Sequence, residues 1–157
     1  MKYFEEVANK LNELLEKNYD AEKGYKFAAE QVKNPQLQSF FNERAKERYD
    51  FGHELKSEIR NFGEAPDKGS SFAGDAHRAW MNLKTTFSSD KEEAVLEEAI
   101  RGEKASVEEY NEVLKDTNIP TSTETILRKQ RDSITASLNK VESLENRADH
   151  RDDNKTW

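Results

Sequence analysis

The chain has 157 residues, of which 34% are hydrophobic and 36% charged, with 25 lysines and arginines against 32 aspartates and glutamates. That length suits one domain, and a formal net charge of −7 leaves no basic surface for general binding to a phosphate backbone. Cysteine is absent, which excludes disulfides, thiolate metal sites and cysteine nucleophiles, and 3 prolines with 6 glycines are too few for a turn-rich all-β fold.

The first residues, Met1 to Glu6, lack the apolar run of a secretion signal, and no stretch approaches the ~20 apolar residues that span a bilayer. A cytoplasmic protein with neither a membrane nor a nucleic-acid partner is expected.

Helical spacing runs through nearly the whole sequence. A first helix is predicted over 3–32, with Phe4, Val7, Leu11, Leu14 or Leu15, Tyr25, Ala28 or Ala29 and Val32 on one stripe. Asn34 is placed to cap, and Pro35 to open, a second helix that runs to Phe62 with Leu37, Phe40, Phe41, Phe51, Leu55 and Ile59 inward. Gly63, Pro66 and Gly69 mark a loop. A shorter helix is predicted over 72–87, on the face Phe72, Ala76, Trp80, Leu83 and Phe87. Ser89 with Glu92 reads as a capping box for a third helix ending near Leu114, and Thr121 with Glu124 as a second box for a fourth. The fourth turns Leu127, Ile134, Leu138, Val141 and Leu144 inward. Residues 148–157 are polar and aperiodic and are expected to form a frayed tail beyond a domain of residues 1–147.

Helices one and two have almost no loop between them and predict an antiparallel hairpin, as do helices three and four. The intervening segment is too long for a tight turn, and its helical part would cover roughly 24 Å at 1.5 Å per residue. Two hairpins joined by a helical crossover make an all-α, ferritin-like four-helix bundle. An up-down bundle with an external fifth helix is the alternative.

Each inner stripe is interrupted by polar residues at a comparable depth: Asn18 and Glu22 in helix one, Arg44 and Arg48 in helix two, Glu103 in helix three and Gln130 in helix four. A buried charge is costly unless paired, so this layer predicts pairing of the two arginines with Glu22 and Glu103, completed by Asn18 and Gln130. The alternatives are that the arginines lie at the seam edge with their heads in water, or that the layer holds a ligand or metal.

Three segments, Tyr25-Lys26-Phe27-Ala28-Ala29-Glu30, the stretch from Gly74 to Lys84, and Glu97-Glu98-Ala99-Ile100-Arg101-Gly102-Glu103, resemble a family of uncharacterised bacterial ferritin-like four-helix-bundle proteins. The resemblance runs from about Leu11 to Leu144 and implies a fold but no settled activity. The wider ferritin-like superfamily implies a di-iron pattern of one Glu from one helix of each hairpin and Glu-x-x-His from the other. On this chain the first Glu position falls at Asn18, and the first Glu-x-x-His on Arg48-Tyr49-Asp50-Phe51. Glu103 is kept, and the second Glu-x-x-His falls on Gln130-Arg131-Asp132-Ser133. Such a pattern implies a lost di-iron centre and no cofactor. A non-enzymatic bundle acting by binding or assembly follows. The rival is a di-iron or other metal-dependent oxidase, or a metal-binding protein, using Glu22, Glu47, Asp50 and Glu103 in an irregular site, with iron as the cofactor.

His53 reads as a flank residue and His150 as exposed. His77, Arg78 and Trp80 read either as packing residues of the crossover helix or as the rim of a small cleft. The surplus of aromatics in Tyr3, Tyr19, Phe27 and Tyr49 gives the expectation of a homodimer.

Overall fold

The computed structural model describes residues 2–67 and 91–155. Its helices are α1 (Lys2–Gln31), α2 (Pro35–Asn61), α3 (Lys91–Leu114) and α4 (Thr121–Lys155). They form an all-α four-helix bundle. The crossover helix expected over 72–87 lies outside the described residues, as do Ser89 and the cleft residues His77, Arg78 and Trp80.

α1 stops where Asn34 and Pro35 intervene. The Asn34 carboxamide oxygen accepts from the backbone N–H of Gln36 at 2.8 Å and of Leu37 at 3.4 Å, so it caps α2 with Pro35 in the first turn. Gly63 closes the other end of α2 with φ of 78°, a left-handed conformation that only glycine adopts without strain. Thr121 is not a cap. It is the first residue of α4, and Glu124 bonds through its backbone to the carbonyl of Pro120 and through its side chain to Arg128. α4 also continues to Lys155, past the point where the apolar period stops. Nothing after Pro120 breaks a helix: the tail holds no proline or glycine, and helix propensity carries the backbone beyond Leu144, the last residue of the apolar stripe.

α1 packs along α2 and α3 along α4 as two hairpins, which meet more loosely at α1–α3 and α2–α4. Cross-bundle bonds fix the directions. Lys10 reaches Asp116 and the backbone N–H of Asn34 reaches Glu92, so α1 and α3 are antiparallel. Gln130 reaches Phe51 and Thr123 reaches Glu58, so α2 and α4 are antiparallel too. α2 and α3 therefore run parallel, and Asp67 and Lys91 lie at opposite ends of the bundle, as a long crossover requires.

The apolar core has two parts. One gathers Leu11, Leu15, Leu55, Ile59, Leu127 and Ile134; the other gathers Ala28, Phe41, Val95, Leu96 and Val141 with Tyr25. Both Leu14 and Leu15, and both Val95 and Leu96, are buried, while Phe40 is only partly so. Among the described residues no helix is long and apolar enough to cross a membrane.

Candidate functional site

Between the two apolar clusters lies a layer of buried polar side chains, one or more from each helix. Seam positions of α1, α2, α3 and α4 carry Asn18, Arg48, Glu103 and Gln130, each no more than 2% exposed. Arg48 is the hub. Its Nη2 donates to Glu103 Oε1 at 2.6 Å and its Nη1 to Asn18 Oδ1 at 2.9 Å. Asn18 Nδ2 donates to the Leu14 carbonyl at 2.8 Å and to the Tyr110 hydroxyl at 2.9 Å. Tyr110 in turn donates to Gln130 Oε1 at 2.6 Å, and Gln130 Nε2 reaches the Phe51 carbonyl at 3.4 Å. The network spans all four helices, with Arg48 bonded to both Glu103 and Asn18.

Electrostatics follow from that geometry. Burial by itself would lower the Arg48 pKa, but Glu103, Tyr25 and Tyr110 outweigh it, and the guanidinium is held above its ordinary value. Burial pushes the Tyr110 phenol up to about 12 against the opposing pull of Arg48. It pushes Tyr25 further still, with Glu103 adding to the effect.

The remaining sequence candidates lie elsewhere. Glu22 and Arg44 do not enter the layer. Glu22 pairs with Lys26 at 2.8 Å, and Arg44 pairs with Glu47 at 2.9 Å while its guanidinium stacks over Phe40. The cause is helical phase: both sit at the edge of the seam, where a long side chain reaches water. The irregular carboxylate site does not assemble either. Glu47 is turned to Arg44, Asp50 is exposed, and Glu103 is held by Arg48. Burial raises the Glu47 carboxyl, with Arg44 opposing. His53 is exposed with its ring edge against Tyr49, centroids 4.5 Å apart, and the side chain of His150 lies outside the described residues.

Three participants were not singled out from sequence as polar. Tyr110 counts as a seam aromatic, yet its hydroxyl links α1 to α4. Tyr25 and Ser137 are buried, and among the described residues their hydroxyls make no well-formed hydrogen bond, although Tyr25 lies beside Glu103 and Ser137. The signal for the tyrosines was a phenol on the seam of a bundle, because a buried hydroxyl needs a partner.

A separate group of carboxylates forms where the first turns of α3 approach α4. Glu93, Glu97 and Glu145 each bring one oxygen to within 4.8 Å of the others.

A family model matches residues 6–116, which covers most of α1, all of α2 and α3, and the connection between the hairpins. The chain belongs to the family described as a domain of unknown function, DUF2383. No curated protein matches it. Among solved structures, this DUF2383 chain is similar to a mutant of Mycobacterium smegmatis Dps1, with a TM-score of 0.75 at 14% identity over 92% of this chain and 97% of that one. It is also similar to a dodecameric thioferritin, a bacterioferritin-related protein of Bacteroides fragilis, with a TM-score of 0.74 at 18% identity over 96% and 90% of the two chains. At those identities the likeness is one of fold, and the fold is ferritin-like.

The superfamily's di-iron pair does not fit the centre of this bundle. Two metal ions need several inward carboxylates and imidazoles. The layer supplies one carboxylate, Glu103, and that carboxylate is bonded to a guanidinium whose charge repels a second cation. Asn18 and Gln130 offer neutral amides, and Phe51 stands where the first histidine would be.

Proposed function

We propose that the chain is a self-associating ferritin-like bundle that binds a divalent cation at a peripheral carboxylate cluster, and that its centre is a degenerate di-iron site with a purely structural ion pair. The observation that carries this reading is the convergence of Glu93, Glu97 and Glu145. Three carboxylate oxygens are a hard donor set suited to Mn2+, Mg2+, Ca2+ or Fe2+. Two of the donors stand at i and i+4 of α3 and so share one helix face, and α4 brings the third. Binding, not turnover, is the activity proposed. Self-association is supported by the dodecameric state of the B. fragilis protein, which shares the fold.

Titration calorimetry of chelator-treated protein with Mn2+, and with Fe2+ under nitrogen, tests the metal site. One ion per chain is expected, lost when Glu93, Glu97 and Glu145 are all changed to Gln and kept in Arg48→Met. Two iron atoms located mid-bundle by anomalous scattering would overturn this reading. Absence of any bound ion would leave a metal-free assembly protein, the second reading, which the buried Arg48–Glu103 pair favours.

A further inference from the structure

α1 and α3 meet across a groove of about 270 Å³. Its walls are small residues, Ala21 and Gly24 from α1 and Ala99, Gly102 and Ala105 from α3. Small side chains would let two helices approach closely, but α1 and α3 pack more loosely than the helices within either hairpin. The side-chain volume that these residues lack therefore stays as space. A Cβ placed on Gly102 would meet nothing within 4 Å, so the groove is open at that point. At ~30 Å³ for each water, the volume suits a molecule on the order of ten non-hydrogen atoms.

Ion pairs balance the charge around the groove. Lys17 stands 3.7 Å from Glu109, Arg101 Nε donates to both Glu98 oxygens at 3.0 Å, and Arg48 holds Glu103 at 2.6 Å. Asp20, also in the lining, has an interaction of its own. An ammonium would be repelled by Arg48, and a carboxylate by Glu103 and Glu109. Either would shed its water without a free counter-charge to meet. The groove suits a neutral guest.

Tyr25 supplies the polar contact. It lines the groove, is 4% exposed, and its hydroxyl makes no well-formed hydrogen bond among the described residues, although it lies beside Glu103 and Ser137. Glu103 is committed to Arg48. Burial holds the Tyr25 phenol well above its ordinary value, so it keeps its proton and remains a donor. A buried donor without an acceptor costs the desolvation of a polar atom. Small-molecule sites combine mostly apolar walls with a few placed polar groups, and here that group asks for an acceptor. A carbonyl oxygen accepts without bringing a donor that would need a partner of its own.

We infer that the groove binds a small neutral carbonyl compound, its oxygen accepting from Tyr25 and its apolar body lying between the alanine and glycine walls. The groove shares no residue with the cluster of Glu93, Glu97 and Glu145, so the two sites are independent.

Calorimetry on the full chain with acetophenone, and with ethylbenzene, benzoate and benzylamine as its apolar, anionic and cationic counterparts, tests it. Acetophenone binds at one per chain, at least tenfold more tightly than any of the other three. Tyr25→Phe brings the acetophenone affinity down to that of ethylbenzene. Gly102→Leu fills the open space and removes binding while far-UV circular dichroism stays unchanged, which keeps the test valid if Tyr25→Phe fails to fold. No binding of acetophenone, equal affinity for any of its three counterparts, or an affinity untouched by either variant overturns the inference. So does a crystal grown with acetophenone that shows only an ordered water on the Tyr25 hydroxyl.

Discussion

Arg48 and Glu103 are joined at 2.6 Å at the centre of the bundle, each almost wholly removed from water. Replacing one partner leaves the other charge buried and alone, whereas replacing both leaves an apolar layer. Arg48→Met is expected to cost about 3–5 kcal/mol in urea unfolding, and the double change of Arg48 and Glu103 to Met to restore most of it. A small loss in the single variant would show that Glu103 finds water when its partner goes. The tyrosines give a second handle. The folded protein keeps Tyr110 protonated up to about 12, while the unfolded chain releases that proton near 10. A raised folded value means that the stabilisation is complete below pH 10 and is lost as pH rises from 10 to 12, at ~1.4 kcal/mol per pH unit for one group. Tyr110→Phe should flatten that alkaline decline in chemical-denaturation curves recorded from pH 9 to 12; an unchanged slope would place the titration elsewhere. Much of this layer is legible in sequence because Asn18, Arg48, Glu103 and Gln130 interrupt apolar stripes at matching depth. Glu22 and Arg44 are not separable from them there, since a shift of one position around a helix decides whether a long side chain meets its neighbours or water. Tyr110 and Tyr25 are hidden for another reason: apolar patterning counts the ring and not the hydroxyl.

Helix ends are set by single residues, and the α1–α2 turn shows how. Asn34 caps α2 through its side chain and ties the turn to α3 through its backbone N–H on Glu92 at 3.2 Å. Asn34→Ala removes only the side-chain part and should cost about 1 kcal/mol, with Asn34→Gly costing a few tenths. Equal losses for the two would mean that backbone freedom, not the cap, decides. At the other end of α2, Gly63→Ala forces a Cβ into a left-handed conformation and is expected to destabilise by about 1 kcal/mol, although open space surrounds the position. Thermal unfolding of these variants checks both. Three of the long helices were readable almost to the residue, because proline, asparagine and glycine punctuate them. α4 was not. Its first turn lacks the reciprocal side-chain bonds that Thr121 and Glu124 suggested, and its last turns have no apolar stripe at all. Periodicity reports an apolar stripe, and the sequence after Leu144 carries none.

For the whole bundle, the parallel course of α2 and α3 separates the ends of the two hairpins and makes the long crossover necessary. The same arrangement gives the molecule two apolar clusters, halves of one core divided by the polar layer. Its outer surface decides assembly. Among the described residues the exposed large hydrophobics are Tyr3, at 37%, and Tyr49, at 50%. Tyr19 and Phe27, which also suggested an interface, are instead packed against the core. Tyr49 stands on the outer face of α2 with the His53 ring against it, a rigid aromatic pair of the kind enriched where copies meet. Net charge acts in the opposite direction: each chain carries −7, so copies repel at long range, and salt screens that repulsion within ~10 Å at 0.1 M. Sedimentation velocity at micromolar concentration should therefore give a particle heavier than the 18.2 kDa chain, with the heavier fraction growing as salt is raised. Tyr49→Glu adds charge where the aromatic surface was and should move the distribution toward the single chain. A wild-type protein that sediments as one chain at every salt concentration would sink the assembly reading. An oligomer indifferent to Tyr49→Glu would move the interface away from the outer face of α2.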